Sequence, residues 1–327
     1  MIRAAALAFA LLAAAPAMAA GERAEKVLPS LADRVAGETG TPDDVNPQRF
    51  GQHPADKAFG AFQRGLYITA LNLARPLAEK GDAAAQTLVA EILSRGLGVA
   101  RASEEAAKWY VEAARGGNPE AKFQYALLLL DGKYVAKDRD EAFRLMGEAA
   151  AAGNALARFN YAQMIVDEKP GPSGLAEAAE WYERAARQGL PDAQYAIAMI
   201  LAQGNAGRDR DEATARKWLE LAARGGFDTA MFDLAVWMVE GRGGERDYEA
   251  SFLWMRNAAK SGNVAAQNGL AKLYRMGLGT EGDSIEAAAW YILARRAGLD
   301  DPEMNVFLDG LTREQMKKAI ERANRLR

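Results

Sequence analysis

The side chains that most often carry catalysis are scarce in this 327-residue chain. It holds one histidine, His53, and no cysteine. A histidine-based triad also needs a nucleophile and an orienting acid, and a zinc site needs several His, Cys or carboxylate ligands, so the chain lacks the parts for either. Acidic runs such as Glu104–Glu105 fit the solvated face of a helix. We predict no catalytic residue, no metal site and no cofactor; a hydrolase relying on carboxylates or lysines ranks below any binding role.

Closely spaced glycines, such as Gly96 with Gly98 and Gly241 with Gly243, raise the question of phosphate binding. A phosphate loop follows a strand and continues into Gly-Lys-Ser or Gly-Lys-Thr, and these segments do neither. They are predicted to be turns between helices, with Pro170–Gly174 as an irregular replacement in one of them. The net charge of −3 gives no electrostatic reason to expect a nucleic acid as partner.

One glycine recurs every 36 or 37 residues and divides most of the chain into six units. The recurring glycines are Gly81, Gly117, Gly153, Gly189, Gly226, Gly262 and Gly298. Self-similarity at a fixed period indicates an array whose units are stabilised by their neighbours. Because glycine favours the left-handed conformation that ends many helices, each of these glycines is predicted to follow a helix C-terminus.

The first half of each unit is predicted to be a helix, called helix A. Alanine occupies the fourth and ninth positions after every repeat glycine, and a bulky apolar residue occupies the twelfth. The two alanine columns are Ala85, Ala121, Ala157, Ala193, Ala230 and Ala266, then Ala90, Ala126, Ala162, Ala198, Ala235 and Ala271. Small residues at helical spacing indicate a face that packs closely against a neighbouring helix.

The second half of each unit is predicted to be helix B, marked by a large apolar column. That column reads Trp109, Leu145, Trp181, Trp218, Trp254 and Trp290; three residues earlier stand Ala106, Ala142, Ala178, Ala215, Ser251 and Ala287. A column repeated in this way is typical of internal packing. We therefore expect Trp181→Ala, in a central unit, to cost more stability than Trp290→Ala near the end of the array.

These columns, with a glycine loop between them and paired alanines before the closing glycine, resemble the Sel1-like repeat. The resemblance covers residues 81–298. It implies an all-α fold, a right-handed superhelical solenoid of helix pairs similar to tetratricopeptide arrays, and a role as adaptor or regulator of other proteins. Some cysteine-rich relatives have been linked to β-lactam binding or hydrolysis, but the chain has no cysteine, so that likeness does not extend to it.

The remaining segments are predicted to be a signal, a linker and two caps. Residues 1–19 combine one early arginine with an apolar run and small residues before Ala20, which indicates a cleaved signal peptide and a periplasmic protein without a membrane span after cleavage. Residues 20–56 are predicted to be a flexible linker. The regions predicted to follow are a degenerate capping repeat at 57–81, six repeats at 82–298 and C-terminal capping helices at 299–327.

The last helices carry recognisable start signals. Asp301–Pro302 fits an N-cap followed by proline, and Thr312 with Gln315 fits a capping box. The final helix is predicted to cover the last repeat with one apolar stripe. The stripe consists of Met316, Ala319, Ile320 and Ala323.

Positions six and ten after the repeat glycine are predicted to line the concave side of the superhelix, where the family resemblance places the A helices. The predicted partner-binding residues are Phe123, Leu127, Phe159, Tyr195, Met199, Phe232 and Val236, with Asp131, Asp167 and Glu240 as an acidic edge. An apolar groove with an acidic edge suits a partner helix or extended segment that carries aliphatic and basic residues. The alternative for the aromatic residues is packing between adjacent A helices.

The predicted function is therefore an exported, non-enzymatic scaffold, adaptor or regulator whose partner is another protein. An envelope sensor or a component of polysaccharide or cell-wall assembly would suit an exported member of such a family. The alternative is a protein that binds peptidoglycan or an exopolysaccharide through its tryptophans.

Overall fold

The computed structural model describes residues 53–326, which contain sixteen helices and no strand. The predicted signal peptide and nearly all of the predicted linker lie outside these residues. The helices are α1 (Asp56–Gln63), α2 (Tyr67–Ala78), α3 (Ala83–Arg95), α4 (Ser103–Arg115), α5 (Pro119–Asp131), α6 (Arg139–Ala151), α7 (Ala155–Glu168), α8 (Pro172–Arg187), α9 (Pro191–Gln203), α10 (Glu212–Arg224), α11 (Asp228–Glu240), α12 (Tyr248–Lys260), α13 (Val264–Met276), α14 (Ser284–Arg296), α15 (Pro302–Asp309) and α16 (Arg313–Arg325).

Each helix packs against the helix before it and the helix after it, from α1 to α14, as expected for an α/α solenoid. Helices α3 to α14 form repeats 1 to 6, in which the odd-numbered helix is A and the even-numbered helix is B. The last helix, α16, packs against α14. Within residues 53–326 no helix is both long enough and apolar enough to cross a lipid bilayer.

The repeat glycines end the B helices as predicted, because all seven have φ between +87° and +102°. The residue after the glycine then starts the next helix. At Asp82, Asn118, Asn154 and Asn263 its side chain accepts a hydrogen bond from the backbone N–H three residues later.

Both alanine columns of helix A are completely buried, which confirms that small residues form the contact face. The alanine column of helix B is buried as well, and its one exception, Ser251, donates a hydrogen bond of 2.8 Å from Oγ to the Ala235 carbonyl oxygen. The hydroxyl is thus satisfied where no water can reach it.

The tryptophan column differs from its prediction. Trp181 and three other tryptophans of the column are only partly buried, whereas Trp290 is 4% exposed. The reason is that the next residue along helix B points more directly at helix A. This neighbouring column is buried in every repeat: Tyr110, Met146, Tyr182, Leu219, Met255 and Tyr291. Trp290 is the exception because the C-terminal helices pack on the last repeat.

Consecutive repeats are joined at seams, each between helix B of one repeat and helix A of the next. At four seams the fifth residue after the repeat glycine donates a side-chain hydrogen bond to a carbonyl oxygen in the last turn of the preceding B helix. The donors are Gln86, Arg158, Gln194 and Gln267. Met231, at the seam between repeats 4 and 5, cannot donate. Lys122, at the seam between repeats 1 and 2, pairs at 2.9 Å with Glu148 of its own repeat.

Asp301 attaches helix α15 to the last repeat. Its carboxylate caps α15 through the backbone N–H groups of Glu303 and Met304, and it pairs with Lys272 of α13 at 2.7 Å. The capping box of Thr312 and Gln315 is present as predicted. Of the predicted stripe on α16, Ala319 and Ala323 are fully buried, Met316 is partly buried, and Ile320 is exposed beside a shallow groove between α15 and α16.

We predict that Gly279→Ala destabilises the protein more than Gly207→Ala. Both glycines have φ of +71°, so each substitution places alanine in the left-handed region at a cost of about 1–2 kcal/mol. At Gly279 the new Cβ would also overlap the backbone carbonyl of Tyr248, whereas at Gly207 it would meet no atom within 4 Å. Urea unfolding followed by circular dichroism measures the difference. Equal losses would contradict the close contact between this loop and the preceding B helix.

We also predict that Tyr182→Ala costs about 3–5 kcal/mol of unfolding free energy, as for other large buried rings. The adjacent Trp181→Ala should cost clearly less, because Trp181 is partly exposed and Tyr182 is 1% exposed. The two residues share one helix, so helix propensity differs little between the variants. A larger loss for Trp181→Ala would show that the tryptophan column, and not the neighbouring column, is the main core column.

Candidate interaction surface

Residues at positions six and ten of the A helices form a strip, called the A strip, of which most members are partly buried. Leu127, Phe159, Tyr195, Met199, Phe232 and Val236 keep part of their surface exposed, and Asp131, Asp167 and Glu240 are exposed. Among the predicted residues Phe123 is the exception, because it is only 4% exposed. It packs among residues of α5 and α6 such as Ala126 and Met146, so the prediction that its ring faces the groove is wrong.

The aromatic side chains of the strip also pack against other helices. The Phe159 ring lies 5.5 Å from the Tyr182 ring of the same repeat, and the Tyr195 ring lies 5.0 Å from that of Phe227, which precedes α11. Such tilted ring pairs stabilise the packing of the elements that carry them. The strip therefore combines support of the array with a remaining apolar surface.

The acidic edge is only partly neutralised. An arginine, Arg139, lies 3.9 Å from Asp167 but binds Glu168 more closely, at 2.9 Å. Asp131 and Glu240 form no ion pair with any residue in 53–326. Repeats 2 and 5 therefore offer free carboxylates near the strip, to which a basic partner would be attracted.

A further acid on the same helices, Asp233, escaped the sequence prediction. It lies on α11 beside the strip, and the Tyr195 hydroxyl donates a hydrogen bond of 2.9 Å to its Oδ2. Burial raises the pKa of Asp233 and also that of Tyr195. The signal was available in the alignment of repeats, since the seventh position is uncharged in the other five: Leu88, Gln124, Asn160, Ala196 and Gly269.

The surroundings of Asp233 contain one arginine that is already engaged. The Arg242 guanidinium lies 4.2 Å from the centre of the Trp237 ring. It also donates two hydrogen bonds to Oε1 of Glu212, at 2.9 and 3.1 Å. Arg210 and Arg242 lower the pKa of that carboxyl, so the pair is charged at neutral pH.

Comparison with known proteins places this geometry in a family. The profile of the Sel1 repeat matches six consecutive segments, residues 83–118, 119–154, 155–190, 191–227, 228–263 and 264–299. The chain belongs to the Sel1 repeat family. The family is typically non-enzymatic, and its members generally act as protein-interaction scaffolds. No protein of a curated set matches the chain.

Two solved structures share the solenoid with this Sel1 repeat chain. A Sel1 repeat protein from Oxalobacter formigenes is 26% identical with a TM-score of 0.63, and the alignment covers 77% of this chain and all of that one. The protective antigen c5321 of uropathogenic Escherichia coli, which displays an SLR fold, is 25% identical with a TM-score of 0.53, over 80% of this chain and 64% of that one.

The one histidine, His53, accepts a hydrogen bond at Nδ1 from the Ala55 backbone and lies 3.6 Å from Asp82, far along the chain from the strip. Within the described part of the chain, no three His, Cys or acidic side chains are grouped so that they could hold a metal ion.

We predict that Phe123→Ser lowers the melting temperature strongly, at a cost of about 3–5 kcal/mol, because the ring is buried and serine leaves a cavity with a hydroxyl in it. Phe232→Ser should cost less, since Phe232 is partly exposed. Thermal unfolding of both variants measures this contrast. Similar small losses would mean that Phe123 belongs to the exposed strip after all.

Proposed function

We propose that this chain is an exported scaffold, adaptor or regulator that binds a partner protein along its A strip. The observation that carries the proposal is the strip itself. Six apolar residues from repeats 2 to 5 stay partly exposed on successive A helices. Apolar surface that an array leaves uncovered in adjacent units is typical of a docking face for a helix or an extended segment. Asp131 and Glu240 add free negative charge for basic residues of that partner.

The export part of the proposal rests on residues 1–19, with their early arginine, apolar run and small residues before Ala20. An envelope location brings envelope proteins within reach, such as sensors or components of cell-wall or polysaccharide assembly. Freedom from disulfides suits a protein whose stability comes from packing between repeats.

A glycan-binding role is the second candidate, and one observation favours it. Trp109, Trp181, Trp218 and Trp254 each retain exposed surface on the B helices, and Arg184 lies over the Trp181 ring at 4.6 Å. Exposed rings that recur at the repeat spacing suit stacking on sugars. We rank this role second because neighbouring side chains already cover much of these rings.

Site-specific crosslinking in intact cells tests the first candidate. A photo-crosslinking residue is placed in the full chain at Leu127, Met199 or Val236, and for comparison at Leu221 or Leu253, which are exposed on the B helices α10 and α12. We expect one protein partner to be captured from the strip positions and not from the comparison positions. The crosslinked form of this protein should lie in the periplasmic fraction, and its own N-terminus should be Ala20.

The same set of variants separates the two candidates. Protein captured only from Leu221 and Leu253 would contradict the A strip as the docking face. Retention of the purified protein on peptidoglycan, lost in Trp181→Ala and unaffected by Met199→Ser, would favour the glycan role.

A further inference from the structure

The carboxylate of Asp233 occupies a position that the repeat does not require to be charged. Leu88, Gln124, Asn160, Ala196 and Gly269 fill the equivalent place in the other repeats. These repeats form the same helix pair without an acid there. Asp233 is therefore not explained by the folding of helix A.

Burial makes this carboxylate costly to the folded chain on its own. Asp233 is partly buried, and within residues 53–326 the Tyr195 hydroxyl is its only hydrogen-bond donor. No lysine or arginine nitrogen of the described residues lies within ion-pair distance of it. An acid taken out of water without a cationic partner destabilises a protein, in agreement with its raised pKa.

The second oxygen of the carboxylate remains open. Oδ2 receives the Tyr195 hydroxyl, while Oδ1 has no donor among the described residues and is not among their fully buried, unpartnered atoms. Oδ1 therefore has unused hydrogen-bonding capacity. The nearest arginine named above, Arg242, is held by Glu212 and stacked on Trp237, so it acts on Asp233 only at longer range.

We propose that Asp233 and Tyr195, at the seam between repeats 4 and 5, form a socket for one basic side chain of the partner protein, preferentially an arginine. This inference rests on the proposed role of the A strip in binding a protein. Met199 and Val236 lie one turn along α9 and α11 from Tyr195 and Phe232, so apolar residues flanking the arginine would contact them. A guanidinium suits the socket because it binds carboxylates directionally and stacks on aromatic rings such as those of Tyr195 and Phe227.

The test uses random twelve-residue peptides displayed on phage and selected against the full chain. We expect the selected peptides to share one arginine or lysine between apolar residues. Asp233→Asn keeps the size of the side chain and an acceptor for Tyr195, and it should bind these peptides about tenfold more weakly, as expected for loss of one charge-assisted hydrogen bond. Asp209→Asn removes the same charge from an exposed loop and should change the affinity little.

A peptide in which the arginine is replaced by glutamine completes the comparison. It should bind the unaltered protein and Asp233→Asn with nearly equal affinity, because the lost interaction is the same in both cases. Asp233→Asn should unfold at the same or a higher temperature, since it removes an unpaired, partly buried charge. A purely structural role for Asp233 would instead lower the melting temperature.

Two failures are distinguishable. If selected peptides lose affinity in Met199→Ser but carry no common basic residue, or bind Asp233→Asn undiminished, the socket is wrong and the A strip survives as a docking face. If no peptides are selected, or their binding is unaffected by both Met199→Ser and Asp233→Asn, both the strip and the socket are contradicted.

Discussion

The close approach of helices through alanine is the constraint on which this fold depends. Each helix of about thirteen residues is too short to be stable alone, so its stability comes from contact with its neighbours. The columns at Ala85 and Ala90 and their equivalents remove side-chain bulk from the contact face, which lets large residues of helix B such as Tyr182 and Tyr291 fill the space between helices. Glycine in the left-handed conformation then reverses the chain at the same place in every unit.

That constraint explains how much of the fold could be predicted from the sequence. Alanine columns and repeat glycines are visible without coordinates, because their spacing follows the helical period and the length of the unit. The burial of the large column was misplaced by one residue. Trp181 and Tyr182 are both large and apolar, and a shift of one position turns a helical side chain by about 100°, so pattern alone could not say which of them faces helix A.

The candidate site was less predictable, since it depends on where neighbouring repeats leave surface uncovered. Position six is equivalent in all repeats, yet Phe123 is buried and Phe232 is not. The difference comes from what surrounds each ring in three dimensions. Asp233 was missed because its one side-chain contact named above, the hydrogen bond from Tyr195, comes from a residue thirty-eight positions away in the sequence. Alignment of the six repeats nevertheless reveals Asp233, because it is the one charged residue at the seventh position.

The seams between repeats differ in their side-chain hydrogen bonds. Four of them carry a side-chain hydrogen bond from helix A to the end of the preceding helix B, whereas Met231 leaves the seam between repeats 4 and 5 without it. Because each repeat contacts only its neighbours, a seam with fewer restraining contacts bends more easily. The Arg158 and Gln194 bonds join repeats 2 to 4, and the Gln267 bond joins repeats 5 and 6. The seam between repeats 1 and 2 lacks this bond as well, and the seam between repeats 4 and 5 is bridged instead by Tyr195 and Asp233, so the restraints on bending differ from seam to seam.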